Sequence, residues 1–417
     1  MERTSLQRIF SSHFEGYART RKLPLKAHRA AQAIMTCRTA AQGGHIQRCP
    51  DNHEAHIQYH SCRHRSCPQC NGLHKVRWAA RQYQRLLPVD HYHLIFTFPH
   101  ELLPLWRYNV RWFAQTYFTV VRDTLFTLSK DQKYLGALPG FVISLHTWGR
   151  NLILHPHLHV LMTGGGLDAQ GQWRACNNGY LFPSRVVRKL YKGKLLAALA
   201  EGLESGALQL PPDTEGIQIL RRAARKTWHV RIQPPYRHGR GVMSYLARYI
   251  KGGPLKEHQV MMCDQGSVIY HYSDHRDGKR KTMRLGIPDF IGRILDHVAE
   301  SRQHVIRHYG LYGHQKRELR NQCRSVLGLP EEESSSDMSW ADYLEQSGKG
   351  DKVRCNHCGK RLVRGMTIGK KSILEGKGSG SGYVQQSVRA DIETWILERT
   401  LPPRSSPSFF AESMPLN

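Results

Sequence analysis

Two pairs of side chains in this sequence have the spacing needed for chemistry at a phosphate group. His157 and His159 lie two residues apart in an apolar, β-branched segment typical of a strand, so both imidazoles would project from one face and could bind one divalent metal ion. Tyr245 and Tyr249 lie four residues apart in a segment compatible with a helix, so both hydroxyls would share one face. A metal ion that polarises a phosphate, beside hydroxyls that attack it, indicates strand transfer on a nucleic acid.

Both pairs also have an ordinary structural explanation. Paired histidines on a strand are more often structural or surface residues than metal ligands, and two tyrosines on one helix face usually pack in a core or at its rim. Arg248 and Lys251 flank the tyrosines and are either phosphate contacts or solvated surface charges. His155 is left out of the metal site, on the expectation that it faces the opposite side of the strand.

The charge of the chain supports a nucleic-acid partner. Of its 417 residues, 61 are Lys or Arg and 33 are Asp or Glu, which gives a formal net charge of +28. Such an excess favours binding to a polyanion, because roughly one counterion is released for each phosphate that is neutralised. A basic surface kept only for solubility seldom needs so large an excess.

The sequence predicts a cytoplasmic protein that does not span a membrane. No run of apolar residues is long enough to cross a bilayer, and the first residues lack the apolar core of a signal peptide. In that compartment the ten cysteines are expected to be reduced rather than paired as disulfides. Their clustering instead favours metal binding.

A block of cysteines and histidines between residues 37 and 70 has the spacing of zinc ligands. The predicted ligands of one Zn²⁺ ion are Cys49, His53, Cys67 and Cys70. Cys37 and Cys62 are further candidates, with His45 as a spare, so a second ion or a different ligand set stays open. A zinc site of this size takes much of its folding free energy from the ion, on the order of 10 kcal/mol.

A second cysteine knuckle lies near the end of the chain, at Cys355-Asn356-His357-Cys358. No partner pair is evident nearby, and Cys323 lies 32 residues upstream. This segment is either half of another zinc site or an incomplete finger.

The hydrophobic pattern predicts an α+β chain that positions these motifs. Helices are expected near residues 6–34, 71–87, 102–128, 184–203, 242–250 and 287–306. Strands are expected near residues 91–99, 141–145, 152–162, 227–232, 259–263, 268–273 and 281–285. The two histidines thus lie on a strand, and the two tyrosines lie on a helix.

The motifs and their order resemble the rolling-circle transposases of the HUH superfamily, and most closely the two-tyrosine insertion sequence ninety-one family. The resemblance covers most of the chain, from about Leu6 to Gly313. It rests on the zinc block and on the segments Phe96–Leu102, His157–His159, Tyr245–Tyr249 and Arg307–Leu311. One departure is Asn52, which stands where the family usually has the second cysteine of a pair, with His53 beside it.

The resemblance implies a ferredoxin-like antiparallel sheet, the HUH nuclease core, with an N-terminal zinc-binding domain and helical insertions. The implied domains are residues 1–90 with the zinc block, 91–315 with the nuclease, and 316–417 with a linker, the second knuckle and a flexible tail. The implied cofactors are Mg²⁺ or Mn²⁺ at His157 and His159, and structural Zn²⁺. A third polar ligand is expected, for which His93 is the candidate.

The implied activity is nicking and rejoining of single-stranded DNA at the ends of an insertion sequence, through a 5′-phosphotyrosine on Tyr249 or Tyr245. The implied partners are DNA of the element ends and target DNA, with the oligomeric state left open. A plasmid or phage replication initiator with the same chemistry is one alternative, and a non-enzymatic, zinc-dependent DNA-binding regulator is another. A barrel-type hydrolase is disfavoured because the repeating β/α pattern is missing.

Overall fold

The structure is a computed structural model of the chain. It describes residues 5–149, 151–176, 179–237, 253–264, 266–274, 277–332 and 338–370. Two compact units are present: the larger contains residues 1–35 and 64–337, and the smaller contains residues 36–63 and 338–417. The smaller unit is therefore discontinuous in sequence, which differs from the three consecutive domains that the sequence predicted.

Ten α-helices and twelve β-strands are numbered here in chain order among the described residues. The helices are α1 Leu6–Arg19, α2 Leu25–Thr36, α3 Gly72–Arg85, α4 Leu103–Tyr108, α5 Val110–Lys130, α6 Ser184–Glu204, α7 Gly216–Arg225, α8 Ile287–Asp296, α9 Arg317–Val326 and α10 Trp340–Gln346. The strands are β1 Gly44–Arg48, β2 Ala55–Tyr59, β3 His91–Thr97, β4 Leu138–Trp148, β5 Leu154–Leu167, β6 Trp173–Ala175, β7 Val230–Ile232, β8 Val260–Cys263, β9 Ser267–Ser273, β10 Arg280–Gly286, β11 Ile306–Gly310 and β12 Val363–Ile368.

The main sheet of the larger unit has the strand order β11-β4-β5-β3-β7, with β6 paired to β5. All of its pairings are antiparallel. The chain is thus a mixed α/β protein with antiparallel sheets, as the sequence predicted. Strand β5, which carries both predicted metal histidines, lies in the middle between β4 and β3.

One face of this sheet is closed by helices and forms the main core. Alternate residues of the strands, such as Phe96, Ile143 and Val160, are fully buried against residues of α5 and α6, such as Phe118 and Leu195. Burying one such side chain contributes about 1.5–3 kcal/mol. Because side chains alternate between faces, this packing places the histidines of β5 on the other face.

Helix α1 starts at a capped end, since the Ser5 hydroxyl accepts a hydrogen bond from the backbone N–H of Arg8. The sequence predicted one helical stretch from Leu6 to Ile34. The structure has two helices there, because Pro24 has no backbone N–H to continue a helix.

The prediction made from the sequence was wrong for the segment that follows α8. A helix was expected as far as Ile306, but α8 ends at Asp296 and Ile306 begins strand β11. This strand pairs with β4, so that Tyr309 lies opposite Phe141 and Gly310 lies opposite Gly140. So short a strand forms because a neighbouring strand pairs with it, rather than because of its own hydrophobic pattern.

Gly310 lies where only glycine fits. Its φ is +57°, and an added Cβ would lie 1.8 Å from the carbonyl oxygen of Pro139. Gly328 is a matched control, because its φ is +69° but nothing lies within 4 Å of its Cβ position. We expect Gly328→Ala to lower the free energy of unfolding by about 1 kcal/mol and Gly310→Ala to lower it by at least about 3 kcal/mol. Urea unfolding followed by tryptophan fluorescence measures both losses, and equal losses would contradict the steric argument.

A second sheet of the larger unit has the order β8-β9-β10 and is also antiparallel. Its strands were predicted from the sequence. Tyr270 of β9 packs its ring 6.0 Å from the ring of Phe290 on α8.

The smaller unit contains a three-stranded antiparallel sheet with the order β12-β1-β2. Its central strand β1 comes from the first part of the chain, whereas β12 comes from the last described part. Trp340 of α10 packs under the guanidinium group of Arg38, which lies 5.8 Å from the ring centroid.

Within the described residues, no helix has the length and apolarity that crossing a membrane requires. The predicted linker at Glu331–Asp337 is described only as far as Glu332. The predicted flexible tail from Gly376 onward lies outside the described residues.

Candidate active site

The two histidines predicted from the sequence lie side by side on β5. Their ring centroids are 4.8 Å apart, and His159 is buried while His157 is partly exposed. Both project from the sheet face opposite the helical core. The strand therefore presents two imidazoles from a rigid, central position, as the spacing predicted.

His146 joins this pair from the neighbouring strand β4. It lies directly opposite His157 in the strand register, and its ring centroid is 4.3 Å from that of His159. One ring nitrogen from each of the three histidines lies within 4.8 Å of the others. Three imidazoles at this separation can bind a single divalent ion.

The sequence analysis missed His146, and strand pairing was the signal that could have found it. The predicted strands near 141–145 and 152–162 were joined by a turn at Gly149–Asn151. Extending the first strand by one residue and pairing the two across that turn brings His146 beside the His157–His159 pair. No local pattern around His146 indicates a ligand by itself.

His93, the candidate for the third ligand, has a different place. Its Nε2 lies 2.8 Å from Nδ1 of His159, so His93 contacts the ring nitrogen of His159 other than Nε2. With the proton on Nδ1, His159 donates to His93 and keeps the lone pair on Nε2. This geometry places His93 where it can orient the ring of His159, as a second residue usually does for a metal-bound histidine.

The imidazoles are held in the neutral form that metal ligation requires. Burial lowers the pKa of His157 to about 4, and burial together with the neighbouring imidazoles puts the pKa values of His146 and His159 well below 6.5. Nδ1 of His157 donates to the carbonyl oxygen of His155 at 2.7 Å, which leaves its Nε2 with the lone pair. Protons therefore do not compete with a metal ion here at neutral pH.

His146 is shielded by aromatic rings on one side. Trp148 stacks on it with centroids 5.5 Å apart and planes 5° apart, and His297 packs edge-on against Trp148 at 5.8 Å. His297 is itself fixed, because its Nε2 donates to the carbonyl oxygen of Leu152 at 3.0 Å. These rings help to bury His146, which is 2% exposed, and charge interactions are stronger where water is excluded.

The expectation that His155 faces the opposite side of the strand is wrong. His155 lies two residues before His157 and so shares its face, with ring centroids 5.3 Å apart. Its Nδ1 lies 3.4 Å from Nε2 of His100. The row of imidazoles thus continues from the metal candidates toward the first residue of β5.

The predicted nucleophiles and phosphate contacts lie outside the described residues. These are Tyr245, Tyr249, Arg248 and Lys251. The described chain ends at Arg237 on one side of them and resumes at Gly253 on the other. Just before that point, Tyr236 exchanges backbone hydrogen bonds with His91 of β3, at 2.8 and 3.0 Å.

The predicted zinc ligands are grouped differently from the sequence prediction. In the smaller unit, Cys49 and His53 lie with Cys355 and Cys358 rather than with Cys67 and Cys70. The Sγ atoms of Cys37 and Cys62, in the same unit, lie within 4.8 Å of each other. In the larger unit, the Sγ atoms of Cys67 and Cys70 likewise lie within 4.8 Å of each other.

Two family models match the chain. One, described as "Transposase zinc-binding domain", matches residues 9–98, and the other, described as "Putative transposase", matches residues 140–319. No solved structure gives a significant match. The first model, with the cysteine clusters above, supports structural Zn²⁺ in this protein.

Two curated proteins are similar over most of their length. The "Putative transposase y4qJ" of Sinorhizobium fredii is 33% identical over 349 residues, which cover 81% of this chain and 88% of that protein. The "Transposase for insertion sequence element IS801" of Pseudomonas savastanoi pv. phaseolicola is 27% identical over 341 residues. These residues cover 79% of this chain and 81% of that protein. The chain therefore belongs to the transposases of the insertion sequence ninety-one family.

Proposed function

We propose that this transposase nicks and rejoins single-stranded DNA at the ends of its element through a 5′-phosphotyrosine intermediate, in transposition of the rolling-circle type. The observation that carries the proposal is the convergence of His146, His157 and His159 on the middle of an antiparallel sheet. We take this sheet and its helices as the ferredoxin-like HUH nuclease core. The motif Tyr245–Tyr249 supplies the nucleophiles.

The three imidazoles fit a divalent metal ion by their chemistry. They are neutral, close together and largely buried, and imidazole is a good ligand for Mn²⁺, whereas Mg²⁺ prefers oxygen ligands. Bound there, the ion would polarise an oxygen of the scissile phosphate and offset the charge that develops in the transition state. The histidines hold this position, and His93 fixes the orientation of His159.

The tyrosines carry the covalent chemistry. The Oη atom of Tyr249 or Tyr245 attacks the phosphorus, an Oη–P bond forms, and the bond from phosphorus to the 3′-oxygen breaks. The proton lost by the tyrosine is balanced by the proton gained by the leaving 3′-oxygen. Since the phosphotyrosine keeps the energy of a phosphodiester, attack by a free 3′-OH reverses the step without a nucleotide cofactor.

The four-residue spacing of Tyr245 and Tyr249 predicts one shared helix face, from which two strands could be handled in turn. One can hold the first cleaved strand while the other cleaves the second. We propose that Arg248 and Lys251 offset phosphate charge beside them. The net charge of +28 favours the DNA of the element ends and of the target as partners.

A covalent-adduct assay tests the proposed reaction. Full-length protein is incubated with single-stranded DNA of the element end, labelled at its 3′ end, in Mn²⁺ or Mg²⁺, and run on a denaturing gel. We expect the label to migrate with the protein in either metal and to remain free in EDTA. The same DNA labelled at its 5′ end is the control, because that fragment leaves with a 3′-OH and carries no protein.

The outcome of this assay also separates the alternatives. A DNA-binding regulator would bind the DNA without any adduct. A replication initiator would form the adduct but would not join the cleaved strand to an added target strand. Absence of an adduct with every end sequence of the element would contradict the proposed function.

A further inference from the structure

Four metal-binding side chains meet in the smaller unit, from segments about 300 residues apart. They are Cys49, His53, Cys355 and Cys358. Sγ of Cys49 lies 3.5 Å from Sγ of Cys358 and 3.6 Å from Nδ1 of His53, and that nitrogen lies 3.9 Å from Sγ of Cys355. The first pair lies between β1 and β2, and the second pair lies before β12.

These distances match three of the six edges of a tetrahedron of ligand atoms around a zinc ion. With Zn–S bonds of about 2.3 Å and Zn–N bonds of about 2.0–2.1 Å, ideal tetrahedral edges are roughly 3.8 Å between sulfurs and 3.6 Å between sulfur and nitrogen. The three separations above lie within a few tenths of an ångström of these values. A disulfide between Cys49 and Cys358 would instead need about 2.05 Å.

The backbone forms a similar turn at each of the two ligand pairs, Cys49 with His53 and Cys355 with Cys358. The N–H of Cys49 donates to the carbonyl oxygen of Glu54, and the N–H of Cys355 donates to that of Lys360, at 2.9 and 2.8 Å. The N–H of His357 points at Sγ of Cys355, at 3.4 Å. Turns of this kind aim two ligands at one point.

Polar contacts hold the two turns together. Lys360 forms an ion pair with Asp51 at 2.8 Å, and the N–H of Asn356 donates to a carboxylate oxygen of Glu54 at 2.7 Å. Sheet pairing of β12 with β1 brings the same two segments together. The four ligands are thus positioned by the fold and do not depend on one contact.

We infer that Cys49, His53, Cys355 and Cys358 bind one structural Zn²⁺ ion, so that half of this ligand set comes from beyond the residues matched by the zinc-binding domain model. Three thiolates and one imidazole select zinc over Mg²⁺ and Mn²⁺, which separates this site from the proposed catalytic ion. The knuckle at Cys355 and Cys358 is therefore one half of a complete site.

Zinc content and zinc release of purified full-length variants test this assignment. We expect Cys355→Ser and Cys358→Ser each to contain one equivalent of zinc less than the wild type. His53→Ala should lose one zinc to a chelator at least tenfold faster, and His53→Cys should restore slow release. His357→Ala is the matched control, because its ring is 6.0 Å from that of His53 but lies outside the cluster.

Protection of thiols gives a second readout that does not depend on variants. In the wild-type protein, Cys49 and Cys355 should resist alkylation until a chelator is added, and peptide mapping identifies both. Wild-type zinc content in the Cys355 and Cys358 variants would overturn the assignment. So would fast release from His357→Ala with slow release from His53→Ala.

Discussion

Replacing any one of His146, His157 or His159 by alanine is expected to abolish the covalent DNA adduct while DNA affinity changes by less than about twofold. Each imidazole is one third of the donor set that converges at the middle of the sheet. A metal ion there is worth several kcal/mol of transition-state stabilisation, and every 1.36 kcal/mol is tenfold in rate, so the loss should exceed about a thousandfold. Affinity rests instead on charge spread over the chain, so it should survive.

His93 should behave differently from the three ligands, because it acts through His159. We expect His93→Ala to need roughly 10- to 100-fold more Mn²⁺ for half-maximal adduct formation, with most of the maximal rate recovered. His93→Gln should recover much of the metal affinity, since its amide oxygen can accept the hydrogen bond from Nδ1 of His159. His13→Ala on α1 is the control and should match the wild type.

The measurements are the rate of adduct formation as a function of Mn²⁺ concentration, and DNA binding in EDTA. Wild-type rates in His146→Ala at equal metal concentration would remove it from the ligand set. Loss of all activity in His93→Ala at saturating Mn²⁺ would instead make His93 a ligand.

Replacing Tyr245 and Tyr249 by phenylalanine, one at a time, is expected to block the two strand cleavages separately. Each change removes one hydroxyl and little volume, so folding should be nearly unchanged. We expect Tyr249→Phe to lose the first adduct, and Tyr245→Phe to form one adduct but fail to transfer the second strand. The double variant should be inactive in both assays. Tyr180→Phe, at a tyrosine that is 59% exposed, is the control.

Peptide mapping of the adduct identifies the residue that carries the DNA. A peptide containing Tyr249 supports the proposed order, and a peptide containing Tyr245 reverses it. Normal transposition by both single variants would contradict a mechanism that needs two tyrosines.

The sequence was sufficient to predict the parts of the candidate site that are local. The alternation of apolar residues with His157 and His159 predicted both the strand and the shared face, because a strand repeats every two residues. His146 is different, since it lies next to them only through the register of two strands. The sequence analysis named His93 as the third imidazole, whereas the structure places His146 there. This difference shows how much of the candidate site depends on strand pairing.

The parts that the sequence did not predict depend on contacts between distant segments. Strand β11 exists because β4 offers it a partner, and the pattern of its own residues had predicted no strand there. Cys355 lies 302 residues from His53, so no spacing rule could connect them. The cysteines were predicted as metal ligands by residue type, but their grouping is a property of the folded smaller unit.

The discontinuous smaller unit has a consequence for synthesis of the protein on the ribosome. Strand β1 emerges early, but its partner β12 follows more than 300 residues later, which takes roughly 15–60 s at about 5–20 residues per second. Throughout that time the first segment must wait with its edge and its cysteines exposed. A nascent chain therefore completes this sheet only after the main sheet of the larger unit has been translated, so release of an incomplete chain leaves the smaller unit unfinished.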